Sequence, residues 1–516
     1  MAWIKNGTPD TLGSAGDTLT VSGMTSSNSN MFLEHEIATG NIDNPTWKFN
    51  NNANSVYSSR EQTNGGTDAE TLSYGGVIVN LGNAEWDRFT VMYAFSVSSE
   101  EKLMIIQTIA SNTAGAGNAP ARNQQVAKFV PSPDASITRV DVTNGGSGDF
   151  DTSSSLSALG SDLTPAIVTP SISAIPPLTS SLKSPSVGGW VELGRTTLGS
   201  AGDTITVSGL ADKRYYMLLR NNFNSGAVRT GLRLGSGSID TGNNYTNRRS
   251  NIGGSDATNT STNRIVGDED GAVIDFNVEY LANLSGEEKL ILRHQVTQET
   301  AGAGNAPRRT EMVAKWSNTS NPIDTIQSIN TESGSFDTNS EIVVLGWDPT
   351  DSHTTNFWEE LASVDLTAGA AATLSSGTIT AKKYLWVQYY TNSIASSTRP
   401  DLIFNSDTGS NYSNRYCYNG TESVAASENS HFAGVSANTN PFFANFFIIN
   451  NSANEKLSTG HGISTGGSGA GTAIVQRFEL AQKWTNTSSQ ITNITLTNDA
   501  SANFGTSTYL KVWGSD

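Results

Sequence analysis

The strongest constraint on this chain is that it repeats itself. LGSAGDTLTVSG at Leu12 to Gly23 returns as LGSAGDTITVSG at Leu198 to Gly209, with one Leu-to-Ile change. TAGAGNAP occurs at Thr113 to Pro120 and again at Thr300 to Pro307, and EEKL at Glu100 to Leu103 and Glu287 to Leu290. These matches share an offset of 186 or 187 residues. A third unit pairs with the second: DTGNNYTNR at Asp240 to Arg248 matches DTGSNYSNR at Asp407 to Arg415, and AKW at Ala314 to Trp316 is echoed by QKW at Gln482 to Trp484, now at an offset of 167 or 168. Self-similarity at such a period means duplicated domains, and 516 residues suit three of about 150 to 170.

The first unit keeps only Tyr57, Ser58 and Arg60 of the Asp-Thr-Gly stretch, and has Ala127, Lys128 and Phe129 where the others have Lys-Trp. Each unit opens on a tryptophan, Trp3, Trp190 or Trp358, expected to plug a core or sheet edge. The offsets place unit one at 1–160, a Pro/Ser-rich linker at 161–189, unit two at 190–347, a short linker at 348–357 and unit three at 358–516. The first linker holds Pro165, Pro170, Pro176, Pro177 and Pro185, a composition that favours extended chain. Units two and three are therefore expected to sit close together, with unit one on a semi-rigid tether whose 161–189 stretch is the first place a protease cuts.

Helical periodicity is not sustained anywhere, whereas two-residue alternation recurs. Phe89, Val91 and Tyr93 alternate with Thr90 and Met92, and Phe276, Val278 and Tyr280 repeat the pattern one unit later. YLWVQYY at Tyr384 to Tyr390 is apolar on both faces, as in a central strand. SGEEK at Ser285 to Lys289 reads as a hairpin turn. About eight short strands per unit predict an all-β chain of three tandem jelly-roll-like antiparallel β-sandwich domains.

The motifs carry little chemistry. TAGAGNAP lacks the Lys-Ser/Thr and the following helix of a phosphate loop, so it reads as a long hairpin loop whose repetition implies a shared contact, such as one with a neighbouring subunit. Asp-Thr-Gly-x-Asn-Tyr-Ser/Thr-Asn-Arg reads as a turn, its Asp capping its own backbone and its Gly supplying a positive φ, followed by a strand. Tyr245 and Arg248, like Tyr412 and Arg415, then face opposite sides of the sheet. Asp268, Glu269 and Asp270 are dense enough for calcium but have no acidic counterparts in the other units, and read as a solvated loop. His35, His294, His353, His431 and His461 show no zinc spacing. No nucleophile motif or carboxylate dyad stands at matching places in two units, so no catalytic residue, metal or cofactor is expected. The lone Cys417 excludes an intrachain disulfide and reads as a small buried filler.

Charge limits the partners. A net charge of -17 argues against nucleic acid and against an anionic membrane surface. The opening MAWIKNGTPD has no signal-peptide pattern, and no apolar run reaches membrane-spanning length.

FNSDTGSNYSNRYCYNG at Phe404 to Gly420, with KKYLWVQYY before it and QKW, ITNITLTN and YLKVWG after it, resembles the repeated jelly-roll modules of tailed-phage virion structural proteins. The resemblance covers about two-thirds of the chain, and implies a non-enzymatic particle component: a capsid-surface decoration or head-fibre protein, assembled in the host cytoplasm, displayed on the virion surface and acting through contacts with other capsid or tail proteins, as one chain mimicking a trimer or as a homotrimer. The alternative is a carbohydrate-binding adhesin or tail-fibre receptor-binding protein that attaches to a host-surface glycan. Partner- or glycan-binding candidates are Trp47, Tyr216, Trp386 and Tyr390, as exposed aromatic platforms, with Arg248 and Arg415 from the repeated motif.

Overall fold

The computed structural model describes residues 3–163, 188–267, 273–367, 369–392, 399–432, 440–471, 474–498 and 502–516. Most of the Pro/Ser-rich linker, with its expected cleavage site, and the Asp268, Glu269 and Asp270 loop lie outside the described residues.

Three antiparallel β-sandwiches follow one another, each a large sheet facing a four-stranded one. In unit two the large sheet runs, in spatial order, Val191–Thr197, Glu341–Trp347, Tyr215–Ser225, Ile274–Ala282, Lys289–Thr297, Arg308–Trp316, Tyr245–Asn251 and Ala257–Thr262. The small sheet is Thr204–Ser208, Thr325–Ile329, Gly231–Ser236 and Ser238–Ile239. Units one and three repeat the central strand order, and among the described residues every strand pairing lies within one unit. The count per unit exceeds the eight strands expected because two-residue strands such as Val77–Ile78 and Leu374–Ser375 leave no readable alternation. SGEEK and TAGAGNAP both close hairpins, the first between Ile274–Ala282 and Lys289–Thr297, the second between Lys289–Thr297 and Arg308–Trp316.

The central strands of the large sheets are buried on both faces. One face packs on the small sheet: Leu218, Tyr245, Trp316 and Ile326 belong to such a core in unit two. The other faces the neighbouring units, and its side chains merge into one core shared by all three. Alternation sorts the residues: on Arg88–Phe95, Phe89, Val91, Tyr93 and Phe95 enter the shared core, whereas Met92 and Ala94 enter unit one's own. On Tyr384–Thr391, Tyr384, Trp386 and Tyr390 point to the shared core, and Leu385, Val387 and Tyr389 to unit three's own. The two-faced apolarity of YLWVQYY thus reports a sheet sandwiched between its own partner and its neighbours.

The strands Lys102–Ala110, Lys289–Thr297 and Lys456–Ser464 pack pairwise against one another, so the units close around a pseudo-threefold axis. This overturns the expected tether: unit one contacts both other units as closely as they contact each other, because its large sheet carries the same apolar outer face. The opening tryptophans are all fully buried in the shared core and not inside single sandwiches. Trp3 lies flat on Trp386 of unit three, with ring centroids 4.4 Å apart, and Trp358 meets the same ring edge-on at 5.5 Å.

Candidate functional site

The repeated motifs converge where the units meet. In unit two, Glu288 and Lys315 pair at 3.0 Å and grip the glycine loop of unit one: Gly115 N–H donates to Glu288 at 2.7 Å, and Lys315 Nζ donates to the Thr113 carbonyl at 2.7 Å. Unit three grips unit two in the same way, with Gly302 N–H donating to Glu455 at 2.7 Å and Lys483 Nζ to the Thr300 carbonyl. Unit one closes the circle on unit three: Gly469 N–H donates to Glu101 at 2.6 Å, and Lys128 Nζ to the Gly467 carbonyl at 2.7 Å. Burial pulls each of these three lysines below its ordinary range, and the paired glutamate opposes it. The EEKL and AKW motifs and TAGAGNAP are therefore two halves of one clasp, and the shared contact that TAGAGNAP implied is made with the next unit of the same chain.

Two further rings run in the same direction. Arg122 pairs with Asp256 at 2.7 Å, Arg309 with Glu422 at 2.8 Å and Arg477 with Asp68 at 2.8 Å, each across a unit boundary. Arg248 Nε donates to the Pro120 carbonyl at 2.8 Å, Arg415 Nε to Pro307 at 2.5 Å and Arg60 Nε to Val475 at 2.9 Å. Arg248 and Arg415, singled out from sequence, thus hold the ends of the neighbouring loops, on the face of the strand opposite Tyr245 and Tyr412.

The four aromatic candidates are withdrawn from solvent. Trp47 and Tyr216 are 0% exposed inside their own sandwiches, and Trp386 and Tyr390 are 0% exposed in the shared core. Tyr216 donates its hydroxyl to the Ile323 carbonyl at 2.7 Å, and Trp386 its indole N–H to Asn445 at 2.6 Å. Tyr390 stacks on Phe95 of unit one, with centroids 3.7 Å apart. None presents a face to a sugar, and the reason for Trp386 and Tyr390 is that the outer sheet face is consumed by contact between units.

The Asp-Thr-Gly turn serves the tryptophan of AKW and QKW. Asp240 accepts the Gly242 N–H at 2.7 Å and the Trp316 indole N–H at 2.8 Å; Asp407 accepts those of Gly409 and Trp484, at 2.9 and 2.8 Å. Unit one has Phe129 in place of tryptophan and lacks the aspartate, since no indole needs an acceptor. Neither Gly242 nor Gly409 adopts a positive φ. Glycine leaves room instead: a Cβ on Gly242 would lie 2.9 Å from Asn244 Nδ2 and displace the amide that bonds Asp240 across it.

On the axis sits a polar layer that spacing along the chain did not reveal. Gln107, His294 and His461 stand at the offsets of the repeat, 187 and 167 residues apart, on the three mutually packed strands. Gln107 Nε2 is 2.8 Å from His461 Nε2, and the two imidazoles lie edge to face at 4.6 Å. Glu311 bonds His294 Nδ1 and lies 3.3 Å from His461 Nε2. Aligning the histidines by repeat register would have brought two of them together. Small cavities of about 10 Å³ border this layer, each with room for about one water and none for a sugar.

No family model matches the chain, and no curated protein matches it. Among solved structures, the chain is aligned over 97% of its length with 96% of the LG1-3 region of the laminin alpha2 chain, at 10% identity and a TM-score of 0.16. It is aligned over 94% of its length with 98% of Pseudomonas aeruginosa OpdK, at 8% identity and a TM-score of 0.12.

Proposed function

We propose that this chain is a non-enzymatic virion structural protein, a capsid-surface decoration or head-fibre protein that supplies threefold geometry from a single polypeptide. The observation that carries the reading is the closed circle of clasps, in which unit one is held by unit two, unit two by unit three and unit three by unit one. The duplicated motifs maintain that circle and assemble no nucleophile, base and substrate cleft among the described residues. A single-chain pseudo-trimer suits a threefold or quasi-threefold position on a particle, where its three outer edges meet three equivalent neighbours. The acidic exterior favours protein contacts at the outside of such a particle over contact with its genome. Assembly in the host cytoplasm and display on the virion surface follow from this reading. The adhesin alternative loses its aromatic platforms to burial.

Cryo-electron microscopy of particles carrying the protein is expected to show one chain per threefold or quasi-threefold surface position. Recovery of the chain only as a free protein, with none in purified particles, would refute the proposal.

A further inference from the structure

The axial layer poses a charge problem. Glu311 is fully buried, and its nearest guanidinium contact is Arg309 Nη1 at 3.5 Å. Arg309 is already committed at 2.8 Å to both Glu422 and Glu479. Glu479, the counterpart of Glu311 in unit three, is held by Arg309 and Arg477 and is not free to turn to the axis. What Glu311 faces instead is two imidazoles, His294 through Nδ1 and His461 through Nε2. The buried carboxylate thus shares its nearest guanidinium with two other glutamates and turns to the imidazoles of the axis.

The donor atoms are arranged as a ligand set. One ligand atom each from His294, Glu311 and His461 lies within 4.8 Å of the other two, and all three residues are buried. His294 Nδ1 and His461 Nε2 both face the Glu311 carboxylate, and the two rings line a 10 Å³ cavity together with Gln107. The 3.3 Å between His461 Nε2 and Glu311 Oε1 is the edge of a tetrahedron with metal–ligand bonds of about 2.0–2.1 Å, roughly 3.3 Å, and the closer His294–Glu311 and Gln107–His461 contacts must open to that edge as an ion enters. Exchanging the amide oxygen and nitrogen of Gln107 puts an oxygen acceptor where its nitrogen now faces His461, a change of amide orientation alone.

We propose that His294, His461 and Glu311, with the Gln107 amide oxygen as fourth ligand, form a binding site for a divalent zinc-class ion on the pseudo-threefold axis. Two imidazole nitrogens and one carboxylate select a borderline transition-metal ion over calcium or magnesium, which require mostly oxygen ligands. The ligands come from all three units: Gln107 from the first, His294 and Glu311 from the second, His461 from the third. The ion therefore acts as a structural pin through the centre of the ring. Because the site is enclosed, the metal enters as the units close, and binding is coupled to folding.

The test uses the full-length, untagged chain, unfolded and refolded with chelator, then refolded with ZnCl2 or CoCl2. The expected result is one zinc per chain by elemental analysis. Co2+ loading should give the intense visible bands of a four-coordinate ion, and X-ray absorption should show two imidazoles. His294→Asn and Glu311→Gln should each weaken zinc binding at least tenfold, while His353→Asn, distant from the axis, should leave it unchanged. If the axial variants fail to fold, an anomalous-scattering peak between His294 and His461 in zinc-loaded wild-type crystals provides the same decision. Refolded wild type that retains no stoichiometric zinc, cobalt bound with a six-coordinate spectrum, binding unchanged by the folded axial variants, or zinc located elsewhere overturns the proposal.

Discussion

At the residue scale, the coupling between Asp240 and Trp316 shows how one substitution in a repeat forces another. Against the burial that raises it, the Trp316 indole, the Asn244 amide and the Gly242 N–H hold the Asp240 carboxyl below the usual range. Asp240→Ala leaves a buried indole N–H unpaired and is expected to cost about 1–3 kcal/mol. Adding Trp316→Phe, which recreates the pairing of unit one, should recover most of that loss; urea unfolding of the single and double variants measures it. His431 provides a second expectation. It lies 1% exposed between Phe404 and Tyr412, and burial pushes its pKa down to about 3. The unfolded chain, with an ordinary histidine near 6.5, then binds the proton first. The stability that the neutral ring allows is complete above about pH 6.5 and falls as the pH drops toward 3, by up to about 1.4 kcal/mol per unit. His431→Phe should flatten that slope relative to wild type in denaturation series at pH 7, 6 and 5.

At the scale of elements, the clasps explain why a surface-like glycine loop is copied without drift. The Gly115 amide is held by a carboxylate of the next unit, so its protection reports one joint of the ring. Glu288→Ala should speed hydrogen exchange at Gly115 by at least tenfold and leave the Gly302 and Gly469 amides, held by Glu455 and Glu101, unchanged. Equal acceleration at all three would mean that the joints do not open separately. The strands were legible because alternation reports which residues are buried: Phe276, Val278 and Tyr280 could be read directly. The exposure of Trp386 and Tyr390 could not, since a strand with two apolar faces has the same pattern whether its second face meets a ligand, a partner or a sister domain.

At the scale of the whole molecule, the shared core makes the three sandwiches one cooperative body. Separating a unit would expose residues such as Tyr215, Met217, Leu219 and Phe276, each worth about 1.5–3 kcal/mol of burial. Calorimetry is therefore expected to show a single transition, and a chain cut at an engineered protease site between units one and two should still elute as one particle of full mass. Three resolved transitions, or a freely dissociating unit one, would contradict a shared core.

Repetition and two-residue periodicity are local properties of the chain, so the triplication, the β class and the pairs of motifs that had to be kept together could be read from residue order alone. That EEKL grips TAGAGNAP of another unit, that the proposed sugar-binding aromatics lie inside, and that His294 and His461 share an axis emerges with the packed sheets. Those facts depend on which sheet faces meet, and apolar surface is non-directional: it demands cover without specifying the partner. The ionic rings, made between residues more than a hundred positions apart, select the partner, and they exist only once the three sheets have closed.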